Sequence, residues 1–246
     1  MKKIRWSLLL LLTSILPAQA QNPPLRVATT RFTSPFVMQS KQQLYGFDIA
    51  MTSYICATLK RDCEYLRMPF DELLTSVASN KADIAISGIT ITPERYNLVN
   101  FSIPYMDSNT RFLGRSKMAN SIMNAELLST SNIGIIKGKV FDEELLSLGA
   151  SNPHITHFDE ETAMIDALNS GTIDFVLLDD PTAIYWQQTT DGALVTIGKP
   201  IKYGFGLGIA INKDQSTVAD AINIAIRQYQ KSDDYKTNYN IYFGGL

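Results

Sequence analysis

Apolar and polar positions along the chain switch repeatedly between a strand period of two and a helical period of 3.6 residues. Leu25 to Thr29 reads as a strand, Phe47 to Leu59 as an amphipathic helix, Cys63 to Met68 as a second strand and Phe70 to Ser79 as a second helix. Asp83 to Ser87 is a third, buried strand, followed by a short helix from Pro93 and an extended segment from Asn109 to Arg115. The rhythm then restarts: strand Ile133 to Ile136, helix Phe141 to Leu148, a strand near His154 to Phe158, helix Glu160 to Asn169, strand Ile173 to Leu178 and helix Pro181 to Gln188. Two successive blocks of alternating strands and helices predict two α/β lobes. The pattern changes at Tyr203-Gly-Phe-Gly-Leu-Gly208, where alternating glycines precede Ile209 to Asn212 and an amphipathic helix from Ser216 to Tyr229. If this segment returns to the first lobe, two chain segments join the lobes, near Tyr105 to Asn109 and near Lys202 to Phe205. A double connection makes a hinge, with a ligand cleft between the lobes.

The N-terminus changes the picture of where this happens. Lys2, Lys3 and Arg5 precede an apolar run from Trp6 to Leu16 and a small-x-small pattern at Ala18-Gln19-Ala20, which reads as a secretory signal peptide over residues 1–20. The run is short for a membrane span, and the expected destination is the periplasm. Without Lys2, Lys3 and Arg5, 19 basic face 24 acidic side chains, a formal charge of −5, which argues against a nucleic-acid partner. The only cysteines, Cys56 and Cys63, close a helix and open the next strand. In an oxidising compartment they are expected to form a local disulfide, two buried thiols being the alternative. Neither this pair nor His154 and His157 offers the spacing of a metal site, and no cofactor is implied.

Candidate chemistry concentrates in Gly88-Ile-Thr-Ile-Thr-Pro-Glu-Arg95, a strand running into a helix start. Thr92 suits the N-cap, Pro93 the first helical position, and Arg95 places a guanidinium in the first turn, where the helix dipole and a bidentate fork favour a carboxylate. A capped helix with a surface arginine is the alternative. Ile173-Asp-Phe-Val-Leu-Leu-Asp-Asp180 is a second apolar strand ending in acids, and Asp179 can receive an ammonium. Arg95 facing Asp179 is complementary to a zwitterion such as an α-amino acid; Asp179 as a mere helix cap is the competing reading.

Over essentially all of the chain after the signal, these features resemble the periplasmic solute-binding proteins of polar amino-acid ABC importers. The likeness rests on Tyr45-Gly-Phe-Asp48, Ser87 to Arg95, Phe101-Ser-Ile-Pro-Tyr105, Ile133-Gly-Ile to Gly138, Asp174 to Asp179, Gly206-Leu-Gly-Ile-Ala210 and Tyr242-Phe-Gly244, in the family's order. The resemblance implies a two-lobe α/β binding fold with two hinge segments, lobe 1 from residues 22–107 and 204–246 and lobe 2 from 108–203. It implies that Arg95 pairs with the ligand α-carboxylate, helped by Ser87, Gly88 and Thr90, and that Asp179 takes the α-amino group. Phe70 and the loop holding Phe32 would form an aromatic wall, though Phe70 also suits a core position. The spacing of Cys56 and Cys63 matches the disulfide of the arginine and lysine/arginine/ornithine/histidine branch, and two aromatic rings suit a cationic side chain.

Three positions depart from that branch. Thr30 stands where the lysine/arginine/ornithine binders carry Asp, Arg31 follows it, and Lys139 replaces a threonine that often contacts the α-carboxylate. Both cations would repel a basic side chain if they faced inward; Lys139 could instead pair with the carboxylate and Arg31 could face solvent. The expected function is capture of arginine or another basic amino acid by a monomer that delivers it to a membrane permease. Polar neutral or acidic amino acids come second. An exported enzyme on the same fold, such as a cyclohexadienyl dehydratase, comes last, because no general acid stands out among Glu72, Glu143 and Glu144.

Overall fold

The computed structural model describes residues 22–244, so the expected signal peptide lies outside the described residues. The chain begins with β1 (Leu25–Thr29), a hairpin of β2 (Met38–Ser40) and β3 (Gln43–Tyr45), α1 (Phe47–Leu59), β4 (Cys63–Arg67), α2 (Leu73–Ala78), β5 (Ile84–Ala85), α3 (Pro93–Tyr96) and β6 (Asn100–Phe101). It crosses into a second lobe with β7 (Asn109–Arg115), α4 (Ala125–Thr130), β8 (Asn132–Ile136), α5 (Phe141–Ser147), β9 (His154–Phe158), α6 (Glu161–Ser170), β10 (Phe175–Asp179), α7 (Asp180–Thr189) and β11 (Leu194–Lys202). It then returns with β12 (Ala210–Ile211), α8 (Ser216–Tyr229) and α9 (Asp233–Phe243).

Two five-stranded sheets result, in the orders β4-β1-β5-β12-β6 and β11-β7-β10-β8-β9. In the first, β12 pairs antiparallel with both β5 and β6, which is how the last part of the chain rejoins the first lobe. The two crossing segments lie side by side: Lys202 pairs with Asn109, Tyr203 N donates to Ser108 O at 3.2 Å, and Ser108 Oγ donates to Tyr203 O. Paired crossings leave few dihedrals free to move, the geometry of a hinge.

Each lobe has its own core. In the first, Phe47 of α1 packs against Phe243 of α9 at 4.8 Å between ring centroids and against Tyr229 of α8 at 6.3 Å. In the second, Phe112, Ile133, Phe141, Phe175 and Leu177 are buried together. A third apolar cluster draws on both lobes, with Phe70 and Leu73 from one and Ile136 and Met164 from the other, so the lobes are packed shut on each other.

Several elements depart from the reading of the sequence. Phe70 to Glu72 forms a separate 3-10 turn before α2, and α9 and β11 carry no apolar period that marks them. β9 is an edge strand, and His157 uses Nε2 on Asp142 at 2.9 Å. Cys56 and Cys63 are joined, with Cα atoms 5.8 Å apart across the turn from α1 to β4, where Lys60 takes a left-handed conformation. Mass spectrometry of the unreduced protein is expected to find this bond. Its reduction should lower unfolding stability by about 2 to 3 kcal/mol, the value for so short a loop, and leave ligand binding intact. Two free thiols in that sample would contradict the bond.

Candidate functional site

Arg95 is placed by a local device. β5 runs into a loop at Gly88, which has a φ of 57° that favours glycine. Thr92 accepts the Arg95 N–H with its side chain at 3.4 Å, and Pro93 opens α3. The guanidinium then turns across the cleft: Nη1 donates to Thr90 O at 2.6 Å and Nη2 to Gly138 O, on the loop after β8, at 2.8 Å. Burial pulls the Arg95 pKa down to about 10, against the raising effect of Asp179, so the group stays charged at neutral pH.

Asp179 ends β10 and opens α7, but its side chain caps no backbone N–H. Its Oδ2 instead holds the Lys139 ammonium at 2.8 Å, with both side chains almost fully buried. Lys139 also donates to Gly88 O at 2.8 Å and lies 4.4 Å from the centre of the Phe70 ring. The same ring lies 5.6 Å from the Arg95 guanidinium carbon. Phe70 is therefore both a core residue, 4% exposed, and the wall behind two cations.

The other predicted groups are spoken for. Ser87 Oγ bonds Thr30 Oγ1 at 2.6 Å, the Gly88 N–H donates to Asp48 at 2.8 Å, and Thr90 gives its carbonyl to Arg95. Phe32 stands at the cleft mouth, 6.2 Å from the Trp186 ring. Arg31 reaches Glu160 of the other lobe at 3.0 Å.

Residues 25–245 match the model of a family described as bacterial extracellular solute-binding proteins, family 3. The chain belongs to this family. Among relatives, an arginine-binding periplasmic protein of Mannheimia haemolytica is 27% identical over 242 residues, 97% of this chain and 98% of its own. An ancestral arginine-binding protein bound to arginine superposes with a TM-score of 0.83 at 27% identity, over 91% of this chain and all of that one. A second such ancestral structure, bound to glutamine, gives 0.82 at 29% identity, over 90% and 98% of the two chains.

This solute-binding protein closes its cleft with contacts that sequence reasoning did not single out. Glu161, at the start of α6, accepts from Ser34 Oγ of the other lobe at 2.6 Å and Ser34 N at 3.3 Å, and within its own lobe from Trp186 Nε1 at 2.7 Å. Thr182 donates to Ser34 O, and Lys137 pairs with Asp71 at 2.8 Å. Burial raises the Glu161 pKa to about 7 despite those three donors. Burial does the same to Asp48, against the Gly88 N–H and the Tyr105 hydroxyl, and to Glu144, against the Thr110 hydroxyl. In the sequence Glu160 and Glu161 read only as acids at a helix start, which is the one signal that could have drawn attention to them.

Among the described residues no group of three or more His, Cys, Asp or Glu could hold a metal ion, and no helix is long and apolar enough to cross a membrane.

Proposed function

We propose that this protein captures an L-amino acid in the cleft between its lobes, with arginine or another basic amino acid foremost, and delivers it to the permease of an ABC importer. It works as a periplasmic monomer and by binding alone. With lobe 1 taken as residues 22–107 and 204–246 and lobe 2 as 108–203, Arg95 comes from one lobe and Asp179 from the other.

The observation that carries this reading is the Lys139 ammonium, seated between the Asp179 carboxylate and Gly88 O beside the Arg95 guanidinium. A seat for an alkylammonium next to a cation able to hold a carboxylate supports this reading, since the two charges together describe the head of an amino acid.

The basic side chain is favoured by what lines the adjoining part of the cleft. Phe32 and Phe70 line a small void with Asp159, Glu160 and Glu161. These carboxyl groups come from lobe 2; with Glu160 paired to Arg31, Asp159 and Glu161 are the ones left to face a cationic side chain. Arg31 is neutralised by Glu160, so it does not oppose a cation. Glu161, buried and pushed up to about 7, gains from a nearby guanidinium, which stabilises its ionised form. A neutral polar ligand is the second reading, favoured by the similar structure that holds glutamine.

Calorimetry separates the two. L-arginine is expected to bind at least about tenfold more tightly than L-glutamine or L-glutamate, the equivalent of about 1.4 kcal/mol. Tighter binding of glutamate would overturn the basic assignment while leaving amino-acid capture in place.

A further inference from the structure

We propose that Lys139 is a specificity-determining residue whose ammonium competes with the ligand's own α-ammonium for Asp179. The inference rests on the amino-acid reading above and adds to it a built-in rival for one half of the zwitterion clamp.

An ammonium has three N–H donors, and the surroundings of Lys139 account for three directions: Asp179 Oδ2 at 2.8 Å, Gly88 O at 2.8 Å and the Phe70 ring face at 4.4 Å. Nothing is left over to hold a ligand carboxylate, the role that the sequence alone allowed for it. The residue is 6% exposed and Asp179 is 4% exposed, so the pair is formed away from water. A second ammonium is opposed there, because two like charges in a buried site repel and Asp179 is the one carboxylate in hydrogen-bond contact with Lys139. An α-amino acid that uses Asp179 therefore has to expel Lys139 first.

The fold supplies somewhere for it to go. A cavity of about 270 Å³ adjoins Lys139 and is lined by Glu94 and Glu143 as well as Arg95 and Tyr203. The displaced ammonium would then enter a space whose wall carries two carboxylates. A carboxylate ligand that lacks an α-ammonium needs no such exchange: Arg95 holds its acid group and Lys139 stays on Asp179. The protein should consequently tolerate loss of the α-amino group, where a cleft without Lys139 would not.

The test pairs each amino acid with its deaminated counterpart: L-arginine with 5-guanidinopentanoate, L-glutamine with 4-carbamoylbutanoate, and L-glutamate with glutarate. Dissociation constants are measured for the wild type, Lys139→Thr and Lys139→Met, with thermal unfolding to confirm that each variant folds. For the pair that binds, the wild type is expected to hold the two members within about tenfold. Both variants should tighten the amino acid by about tenfold or more and weaken the deaminated member by about tenfold or more, because Asp179 is then buried without a partner. The preference for the α-ammonium should rise by at least about a hundredfold.

A wild type that already prefers the amino acid by more than about tenfold overturns the proposal without recourse to any variant. An unchanged preference in the variants overturns it too, while binding of the amino acid itself keeps the functional reading intact. If none of the three amino acids binds the wild type or either variant, competition at Asp179 fails for these ligands, and a thermal-shift screen of the twenty standard L-amino acids plus ornithine decides amino-acid capture, which fails if none of them binds.

Discussion

Arg95→Ala is expected to remove measurable binding of the preferred amino acid, and Asp179→Ala to weaken it by more than about tenfold. Truncating one member of a desolvated charge pair typically costs about 2 to 5 kcal/mol, because the partner charge stays buried and unpaired. Arg95 has two duties that alanine cannot perform. It is the cation available to a carboxylate, and its Nη2 ties the lobes through Gly138 O at 2.8 Å. Its loss should therefore abolish docking and loosen closure together. Asp179 sits on the other lobe, so its variant keeps the docking cation and should retain weak binding with impaired closure. The loss at Asp179 should be larger still in a Lys139→Thr background, where nothing competes for the carboxylate. Calorimetry gives the affinities, and small-angle scattering with and without ligand reports closure. If both single variants bind within about threefold of the wild type, the ligand lies elsewhere and the cleft reading fails.

What was legible in the sequence was local. Thr92, Pro93 and Arg95 define a helix start by chemistry confined to four residues, and the structure forms it with Thr92 as the cap. The two α/β blocks were legible because buried strands such as β8 and β10 are nearly all apolar. β11 was not, since Thr196, Gly198, Lys199 and Pro200 break its pattern and its register slips between Ile197 and Ile201. α9 escaped for a similar reason: Asp233 to Asn240 is dominated by polar residues, and it is held by aromatic contacts to Phe47 that lie far away in sequence.

The cleft divides in the same way. Arg95 and Asp179 could be nominated because each sits at a strand-to-helix junction with recognisable residues around it. Lys139 could be seen as a departure from the family pattern, but its bond to Asp179 joins positions forty residues apart and its contacts with Gly88 O and Phe70 depend on how the lobes meet, and no local rule reports either. The same holds for Ser34, Glu161 and Trp186, three residues from three separate segments that share one buried carboxyl oxygen. The Ser34 contacts cross between the lobes and exist only when the hinge is closed, while Trp186 meets Glu161 within the second lobe.

Gly138→Ala is expected to hold the lobes apart. Gly138 has a φ of 81°, and a methyl group added there would lie 2.6 Å from the Cα of Asp71 and 2.7 Å from its Cβ, across the cleft. Asp71 Cα is backbone and cannot swing aside, so the two lobes must separate by a large part of an ångström or more. That movement would lengthen the Arg95 bond to Gly138 O and the Lys139 bond to Gly88 O, both of which cross the cleft. Affinity for the preferred amino acid should fall by about tenfold or more, because a ligand stabilises closure only by the contacts that closure completes. Scattering should show a larger radius with saturating ligand than the wild type has. Alanine at a positive φ also carries a backbone cost of about 1 to 2 kcal/mol, which could be mistaken for the effect. Gly192→Ala separates the two causes: Gly192 has a φ of 79° in the same lobe, and nothing lies within 4 Å of the added methyl group. It should lose comparable thermal stability yet bind and close as the wild type does. Equal losses of affinity in the two variants would show that backbone strain, and not the clash with Asp71, governs closure.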